Sequence, residues 1–223
     1  MTMADGDADL PRWGGVTEPT TVATNVVLAV LAFAFAARLA HRAAAEGLAA
    51  VAWLSAALFA TGFAALIGAI AHATDPLRDE ALRDRFWHST LYAAGLIGAA
   101  TIASVAYFAV HGYARAALLL FAVIKLVVYM YRVAREPEFR IAAIDYGVAL
   151  AILLIGAVTE VVRRRAPGMA WLIGGVLVSL VAGIVQARRL ALHRQFNHND
   201  LYHVVQMAAL YAFYRGGTLL VDR

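Results

Sequence analysis

The sequence contains no cysteine and few charged residues. Without cysteine there is no disulfide framework, no thiolate zinc site and no iron–sulfur cluster, so a bound metal must be held by His, Asp, Glu, Asn or water. Charged residues make up 15% of the chain, against about 25% in an average soluble domain. Lysine occurs once, as Lys125, among 19 Lys and Arg residues.

Apolar residues are in large excess. They make up 62% of the 223 residues, and the mean hydropathy is +0.70. A 23.9 kDa globule leaves much of its surface in water, so a soluble fold has no place for this surplus. The composition argues against a soluble enzyme, a disordered chain and a coiled coil. It favours an integral membrane protein with one domain over residues 1–223, of which residues 1–17 form a short acidic N-terminal segment.

Runs of about 20 apolar residues predict helices that cross a bilayer. All five prolines lie outside these runs, as expected of residues that break helices. The fold class is therefore predicted to be all-α, a seven-transmembrane helix bundle with short connections. The seven predicted spans are Thr21–Ala40, Leu48–His72, Trp87–Tyr113, Ala114–Tyr131, Ile141–Val161, Gly168–Gln186 and Asp200–Leu220.

The basic residues indicate a lipid environment and not a nucleic acid partner. Net charge is +4, and the arginines are spread among short loops between apolar runs, which is typical of anchors at lipid headgroups. A membrane lipid is the expected substrate or ligand, and no oligomeric state is predicted. The arginine count is nearly equal on the two sides. The acidic start and the basic run Arg163–Arg165 favour a multi-pass protein with its N-terminus on the non-cytoplasmic side.

Polar residues concentrate on one side of the predicted bundle. In a seven-span chain the start of span 1, the span 2–3 and 4–5 turns and the start of span 7 share one membrane side. Glu18, Thr21 and Asn25 share one helical face at the start of span 1. The other polar residues of this side are His72, Asp75, Asp84, His88, Tyr129, Tyr131, Asp145, Tyr146, His198, Asn199, Asp200, His203 and Gln206.

Histidines and carboxylates at one depth suggest a metal site. Imidazole is the commonest zinc ligand, and catalytic zinc takes three protein ligands and activates water. A neighbouring carboxylate can then accept the proton, and ligating histidines need acceptors of their own. The candidate ligands are His72, His88, His198 and His203. The candidate acid/base residues are Asp84 and Asp75, and the candidate supporting residues are Glu18, Asn25, Asn199 and Asp200.

Most of these residues also have a plain structural interpretation. Asn199 and its two neighbours can cap helix 7, and His72 alone can be an interfacial histidine. Asp84 and His88 can be an exposed pair on a helix, and Glu18 suits a helix N-terminus. His203 differs, because it lies inside span 7 and needs a partner there.

The arrangement resembles the CREST superfamily of membrane hydrolases, which includes alkaline ceramidases and adiponectin receptors. The resemblance is carried by seven spans, a His at the end of span 2, an acidic residue about a dozen positions later, and a His-bearing start to span 7. It is clearest in Phe196–Gly217, FNHNDLYHVVQMAALYAFYRGG, and in the Glu-to-Asn pattern of Thr17–Asn25.

The resemblance implies zinc held by His72 and His203 and an acid/base role for Asp84. It also implies a second span 7 ligand in the pattern H-x-x-x-H, but Asn199 stands four residues before His203 and His198 stands five before. On a regular helix His198 and His203 point about 140° apart. His198 can join His203 only if helix 7 starts at about Asn199 and His198 swings in from the loop.

Two further departures concern span 2 and span 3. Gly68 stands where the family has a Ser that assists hydrolysis. His88 is an added candidate ligand, which Asp84 would orient.

The leading hypothesis is therefore an intramembrane zinc-dependent hydrolase of a lipid-like amide or ester. The alternative is a non-enzymatic bundle, receptor-like or lipid- or metal-binding, with a degenerate site. Transport is a third class, but it would require charges deep within several spans, whereas here most lie at one end. Retinal binding would require a lysine in the last span, and Lys125 lies in span 4.

Overall fold

The computed structural model describes residues 12–74, 79–164, 166–193 and 195–223. Over these residues the chain is all-helical apart from very short β pairings, of which the two-residue strands β1 Arg12–Trp13 and β2 Val16–Thr17 form an antiparallel hairpin. The helices are α1 Pro19–Glu46, α2 Ala49–Ala73, α3 Glu80–Phe108, α4 Gly112–Arg135, α5 Phe139–Arg164, α6 Met169–Ala187 and α7 His198–Gly217. The all-α prediction is confirmed.

Local sequence explains where the helices begin and end. Pro19 occupies the first turn of α1, where its missing N–H costs nothing, and Gly47 ends that helix at a φ of 68°. The predicted boundary between spans 3 and 4, at residues 113 and 114, is five residues too late, because α3 ends at Phe108. Gly112 has a φ of 56° there, and the apolar residues before it gave no sign of the break.

Six of the helices form a ring, and the remaining helix, α4, lies outside it. Around the ring α1 packs on α2, α2 on α3, α3 on α5, α5 on α6, α6 on α7 and α7 on α1. Helix α4 packs on the outside of α3 and touches α5 only lightly. Helices α4 and α5 are therefore not close neighbours, although they are consecutive in the chain.

The ring is packed with apolar side chains on both its inner and outer surfaces. Leu39, Leu153 and Leu172 are almost fully buried in the main core, where alanines let the helices approach closely. Phe59 and Ile155 are more than half exposed on the outside. A helix that is apolar all round suits a bilayer, where the outer side chains contact lipid tails.

Length and composition make six helices capable of crossing a membrane. These are α1 to α6, whose most apolar windows have mean hydropathies of 1.6 to 2.3. Helix α7 is not among them, because its polar residues lower its hydropathy. The structure is thus compatible with a multi-pass membrane protein, while the seventh span stays a sequence prediction.

Candidate functional site at one end of the bundle

Glu18 joins three remote segments of the chain. It is the N-terminal cap residue of α1, held at φ 48° and ψ 55°, and it is only 6% exposed. Its Oε2 lies 2.7 Å from Nδ1 of His72 at the end of α2. Its Oε1 accepts a hydrogen bond from the side chain of Asn197, the cap residue of α7, at 3.5 Å. The structure therefore brings together Glu18 and His72, as the sequence suggested.

The charges around Glu18 keep its carboxylate ionised. Burial raises the pKa of Glu18, but the hydrogen bond and charge of His72, the charge of Arg83 and the bond from Asn197 together lower it below the ordinary value of 4.5. Arg83 is 5% exposed, so α3 turns this arginine towards the bundle at the end where Glu18 lies. Sequence reasoning missed Arg83 because it stands among exposed charges at the start of α3.

His203 is held by α1 through a hydroxyl group. Its ring is 8% exposed, and its Nδ1 lies 3.1 Å from Oγ1 of Thr24. Oγ1 of Thr24 also lies 3.1 Å from the backbone carbonyl of Thr21 and 3.5 Å from Oδ1 of Asp200, and both oxygens are acceptors for its proton. Asp200 is fully buried. Residues at the start of α1 and the start of α7 therefore form one polar layer, in which sequence reasoning had not placed Thr24.

The start of α7 differs from the geometry that His198 would need. The helix begins at His198, because Asn197 caps it: the Asn197 side chain accepts from the N–H groups of Asn199 and Asp200, and Asp200 accepts from the N–H of Asn197 at 2.7 Å. His198 is thus the first residue of the helix and not a loop residue that swings in towards His203. His198 therefore lies on the first turn of α7 on a different side from His203, although its ring remains close enough to Glu18 and His72 to interact electrostatically.

Asn199 and Asn25 also make hydrogen bonds at this end of the bundle. Asn199 accepts a hydrogen bond from Gln186 at 3.0 Å and so ties the end of α6 to the start of α7. Asn25 is 4% exposed and donates to the carbonyl of Thr21 at 3.2 Å. A Cβ atom built on Gly68 would lie 3.6 Å from Oδ1 of Asn25, so the position where the family resemblance expects a Ser faces this layer and has room for a side chain.

His88 and Asp84 lie apart from these residues. Asp84 is exposed on α3, and Nδ1 of half-buried His88 bonds to the backbone carbonyl of Asp84, at 2.8 Å, not to its carboxylate. Over the described residues no hydrogen bond or ion pair joins either of them to Glu18, His72 or His203. The proposed orientation of His88 by Asp84 is thus supplied by the main chain. Asp75, the other acid/base candidate, lies outside the described residues.

The hydrogen bonds assign the tautomer of two imidazoles. The carboxylate of Glu18 and the carbonyl of Asp84 can only accept, so His72 and His88 each donate from Nδ1. Nδ1 of His203 faces the Thr24 hydroxyl, which both donates and accepts, so this contact fits either tautomer. In the neutral rings of His72 and His88, Nε2 then carries a lone pair. His193 is the contrast, since its Nδ1 accepts from the N–H of Gln195. A ring that donates through one nitrogen to a fixed acceptor is the arrangement found in ligating histidines.

A small cavity opens beside the layer. It has a volume of about 10 Å³, roughly what one water molecule needs, and it lies between the first turn of α1 and the start of α7. Glu18, Asn197 and Asp200 are among its lining residues. Within the described part of the chain, however, no three His, Asp or Glu side chains converge closely enough to hold a metal ion.

Fold and site together define a class: an all-helical, apolar protein with six helices able to cross a membrane and a buried layer of His, Glu, Asp and Asn at one end. The chain belongs to a family of unknown function, DUF6962, which matches residues 20–222. No curated protein and no solved structure matches it.

Proposed function

We propose that this protein is an intramembrane metal-dependent hydrolase of a lipid-like amide or ester. In this proposal α7 is a seventh span, and the chain is a divergent relative of the CREST superfamily.

The N-terminus lies on the non-cytoplasmic side in this proposal. A reporter domain fused to the N-terminus would check this orientation, and activity of that reporter in the cytoplasm would contradict it.

The observation that carries the proposal is that the start of α1 contacts Nδ1 of both His72 and His203. Oε2 of Glu18 lies 2.7 Å from Nδ1 of His72, and Oγ1 of Thr24 lies 3.1 Å from Nδ1 of His203. An oxygen that accepts from Nδ1 leaves Nε2 of a neutral imidazole free to bind zinc. Glu18 fixes His72 in this form, and the Thr24 hydroxyl can accept from His203 in the same way.

The donor set fits zinc in kind, with His72 and His203 as the residues that would hold it. Zinc would contribute Lewis acidity that polarises a carbonyl group. Glu18 fixes the tautomer of His72 and holds a negative charge beside it, and Thr24 positions the ring of His203. His198 and His88 stay sequence predictions for further ligands, and Asp84 and Asp75 for the proton carrier.

A second candidate function is a non-enzymatic lipid- or metal-binding bundle. Two observations favour it: the described residues contain no three-ligand group, and Gly68 provides no hydroxyl beside Asn25. In this alternative the polar layer at the ends of α1, α2 and α7 binds a ligand headgroup, or one metal ion, without turnover.

The test is the metal content of protein purified in detergent, measured by elemental analysis. We expect about one zinc per chain in the wild type and most of it lost in His72→Ala and in His203→Ala. His41→Ala and His111→Ala are the matched controls, because both histidines are exposed at the other end of the bundle, and they should keep the metal.

A hydrolysis assay separates the two candidate functions. Lipid amides and esters with a fluorogenic leaving group are given to the zinc-loaded wild type. Turnover that is lost in His203→Ala supports the hydrolase, whereas bound zinc without turnover supports the binding protein. Wild-type protein without zinc after incubation with the ion would contradict the metal site altogether.

A further inference from the structure

Helix α4 is attached to the bundle by one narrow stripe. Its three buried residues are Ala122, Tyr129 and Val133, and most of its other large apolar side chains are exposed. Lys125 lies in the same stripe, since positions 122, 125, 129 and 133 are three or four residues apart. Two members of the stripe are polar, so packing of apolar side chains supplies only part of the attachment.

The polar centre of the stripe is an ion pair between α4 and α5. Nζ of Lys125 bonds to Oδ1 of Asp145 and lies 3.4 Å from the backbone carbonyl of Asp145. The Lys125 side chain is 10% exposed and that of Asp145 is 6% exposed. The second carboxylate oxygen, Oδ2, has no hydrogen-bond partner among the described residues. The lysine is therefore the partner on which this buried carboxylate depends.

Helix α3 provides the space in which the stripe docks. A Cβ atom on Gly98 would lie 2.7 Å from Oδ2 of Asp145 and 2.9 Å from Nζ of Lys125, so the pair sits directly against the glycine. One turn away, a Cβ on Gly95 would lie 2.4 Å from the ring of Tyr129, whose hydroxyl donates to the carbonyl of Leu91 at 2.6 Å. The two glycines form a notch in α3, and the polar members of the α4 stripe fill it.

We propose that the Lys125–Asp145 ion pair, seated in the Gly95–Gly98 notch of α3, is the contact that docks α4 onto the six-helix ring. Charged side chains in a bilayer interior need a partner, and removing one member of a buried pair leaves the other charge uncompensated. Helices α4 and α5 otherwise touch only lightly, so this pair also determines how α4 is placed against α5. The inference is independent of any hydrolase activity.

The absence of native cysteine allows a direct test. Ala122 is 4% exposed and packs with Ile102 and Ala149, so a single cysteine at this position is protected only while α4 is docked. The rate of maleimide labelling of Ala122→Cys is measured in detergent in the wild type, Lys125→Met and Asp145→Asn backgrounds. The control is Ala32→Cys, a fully buried position of α1 in the main core.

The expected result is specific to α4. Labelling of Ala122→Cys should rise at least about fivefold when either charge is removed, while labelling of Ala32→Cys stays unchanged. The exchanged pair Lys125→Asp with Asp145→Lys should return the labelling of Ala122→Cys towards the wild-type rate. Unchanged labelling of Ala122→Cys in both single variants would overturn the proposal. It would also be overturned by an equal rise at Ala32, or by an exchanged pair that labels as fast as the single variants.

A steric variant tests the notch without removing a charge. Gly98→Ala places a methyl group against both members of the pair, so it should also increase labelling of Ala122→Cys. Gly174→Ala is the matched control, because a Cβ there meets nothing within 4 Å. Equal labelling rates in the two glycine variants would show that the notch plays no part in docking.

Discussion

The two ends of the bundle use their polar residues in different ways. At the end opposite the site, the segment after α7 turns back into the ring, and its partners are mainly backbone groups. The Asp222 carboxylate accepts from the N–H groups of Ala49 and Ala50 at 2.9 and 2.8 Å, and Arg42 donates to the carbonyls of Gly217 and Leu220 at 2.8 and 2.9 Å. These contacts satisfy the free groups at helix ends.

At the site end the partners are side chains. Glu18 bonds to His72, and Thr24 bonds to His203, while Nε2 of each ring makes no hydrogen bond with the described residues. The helix cap of α7 is complete at the same time, through Asn197 and Asp200. Capping therefore accounts for the contacts of Asp222 and Arg42, but for only part of the polar groups at the site. The remainder, the imidazoles of His72 and His203 and the buried carboxylate of Glu18, is the part that indicates function.

The largest expected effect is a loss of zinc binding or hydrolysis that occurs in a variant at the site end and not in a variant at the opposite end. Glu18→Gln keeps an acceptor for Nδ1 of His72 but removes the charge, so zinc affinity or hydrolysis should fall about 10- to 100-fold. Titration with zinc and the fluorogenic assay measure it. Glu46→Gln is the control, since Glu46 pairs with Arg42 on the exposed surface at the other end. Equal losses in both variants would mean that Glu18 has no special role at the site.

The next effect should appear in stability alone. Asp222→Ala removes the acceptor for two N–H groups at the start of α2 and should lower the free energy of unfolding by about 1 kcal/mol. Thermal unfolding in detergent measures the change, and zinc binding and hydrolysis should stay at wild-type level. A loss of activity as large as that of Glu18→Gln would show that the two ends are coupled.

A smaller effect should appear in the pH dependence of stability. Because the folded-state pKa of Glu18 is lowered below 4.5, its ionised form stabilises the protein above that pH, and this contribution is lost as pH falls through the folded pKa. The unfolding temperature of the wild type should therefore drop more steeply than that of Glu18→Gln between roughly pH 6 and pH 3. Parallel curves would indicate that His72 does not stabilise the ionised carboxylate.

The sequence predicts more of the fold than of the candidate site. Helix number and approximate bounds follow from apolar run length, and so does the side of the bundle on which Glu18, His72 and His203 lie. The residues that orient them do not follow from the sequence, because Thr24 is an ordinary residue of an apolar helix. The sequence interpretation also places the cap of α7 among His198, Asn199 and Asp200, whereas the structure has it at Asn197, since several neighbouring side chains here are able to cap a helix. The outside position of α4 was also hidden, since its stripe of four residues is no more apolar than its exposed face.

The smallest effect on stability is expected at Gly68, where the site has room for a side chain. Gly68 faces Asn25 and Thr90, and a Cβ there would meet its nearest neighbour at 3.6 Å, so Gly68→Ser should fit without strain and gain about 0.5 kcal/mol from helix propensity. Gly95→Ser is the control, because Tyr129 blocks that position and overpacking costs about 1 to 3 kcal/mol. If the CREST resemblance holds, the new hydroxyl should also increase hydrolysis. A destabilised Gly68→Ser would mean that the layer around Asn25 is already filled. The site end would then have no more room for a ligand than the opposite end, where polar groups cap helices.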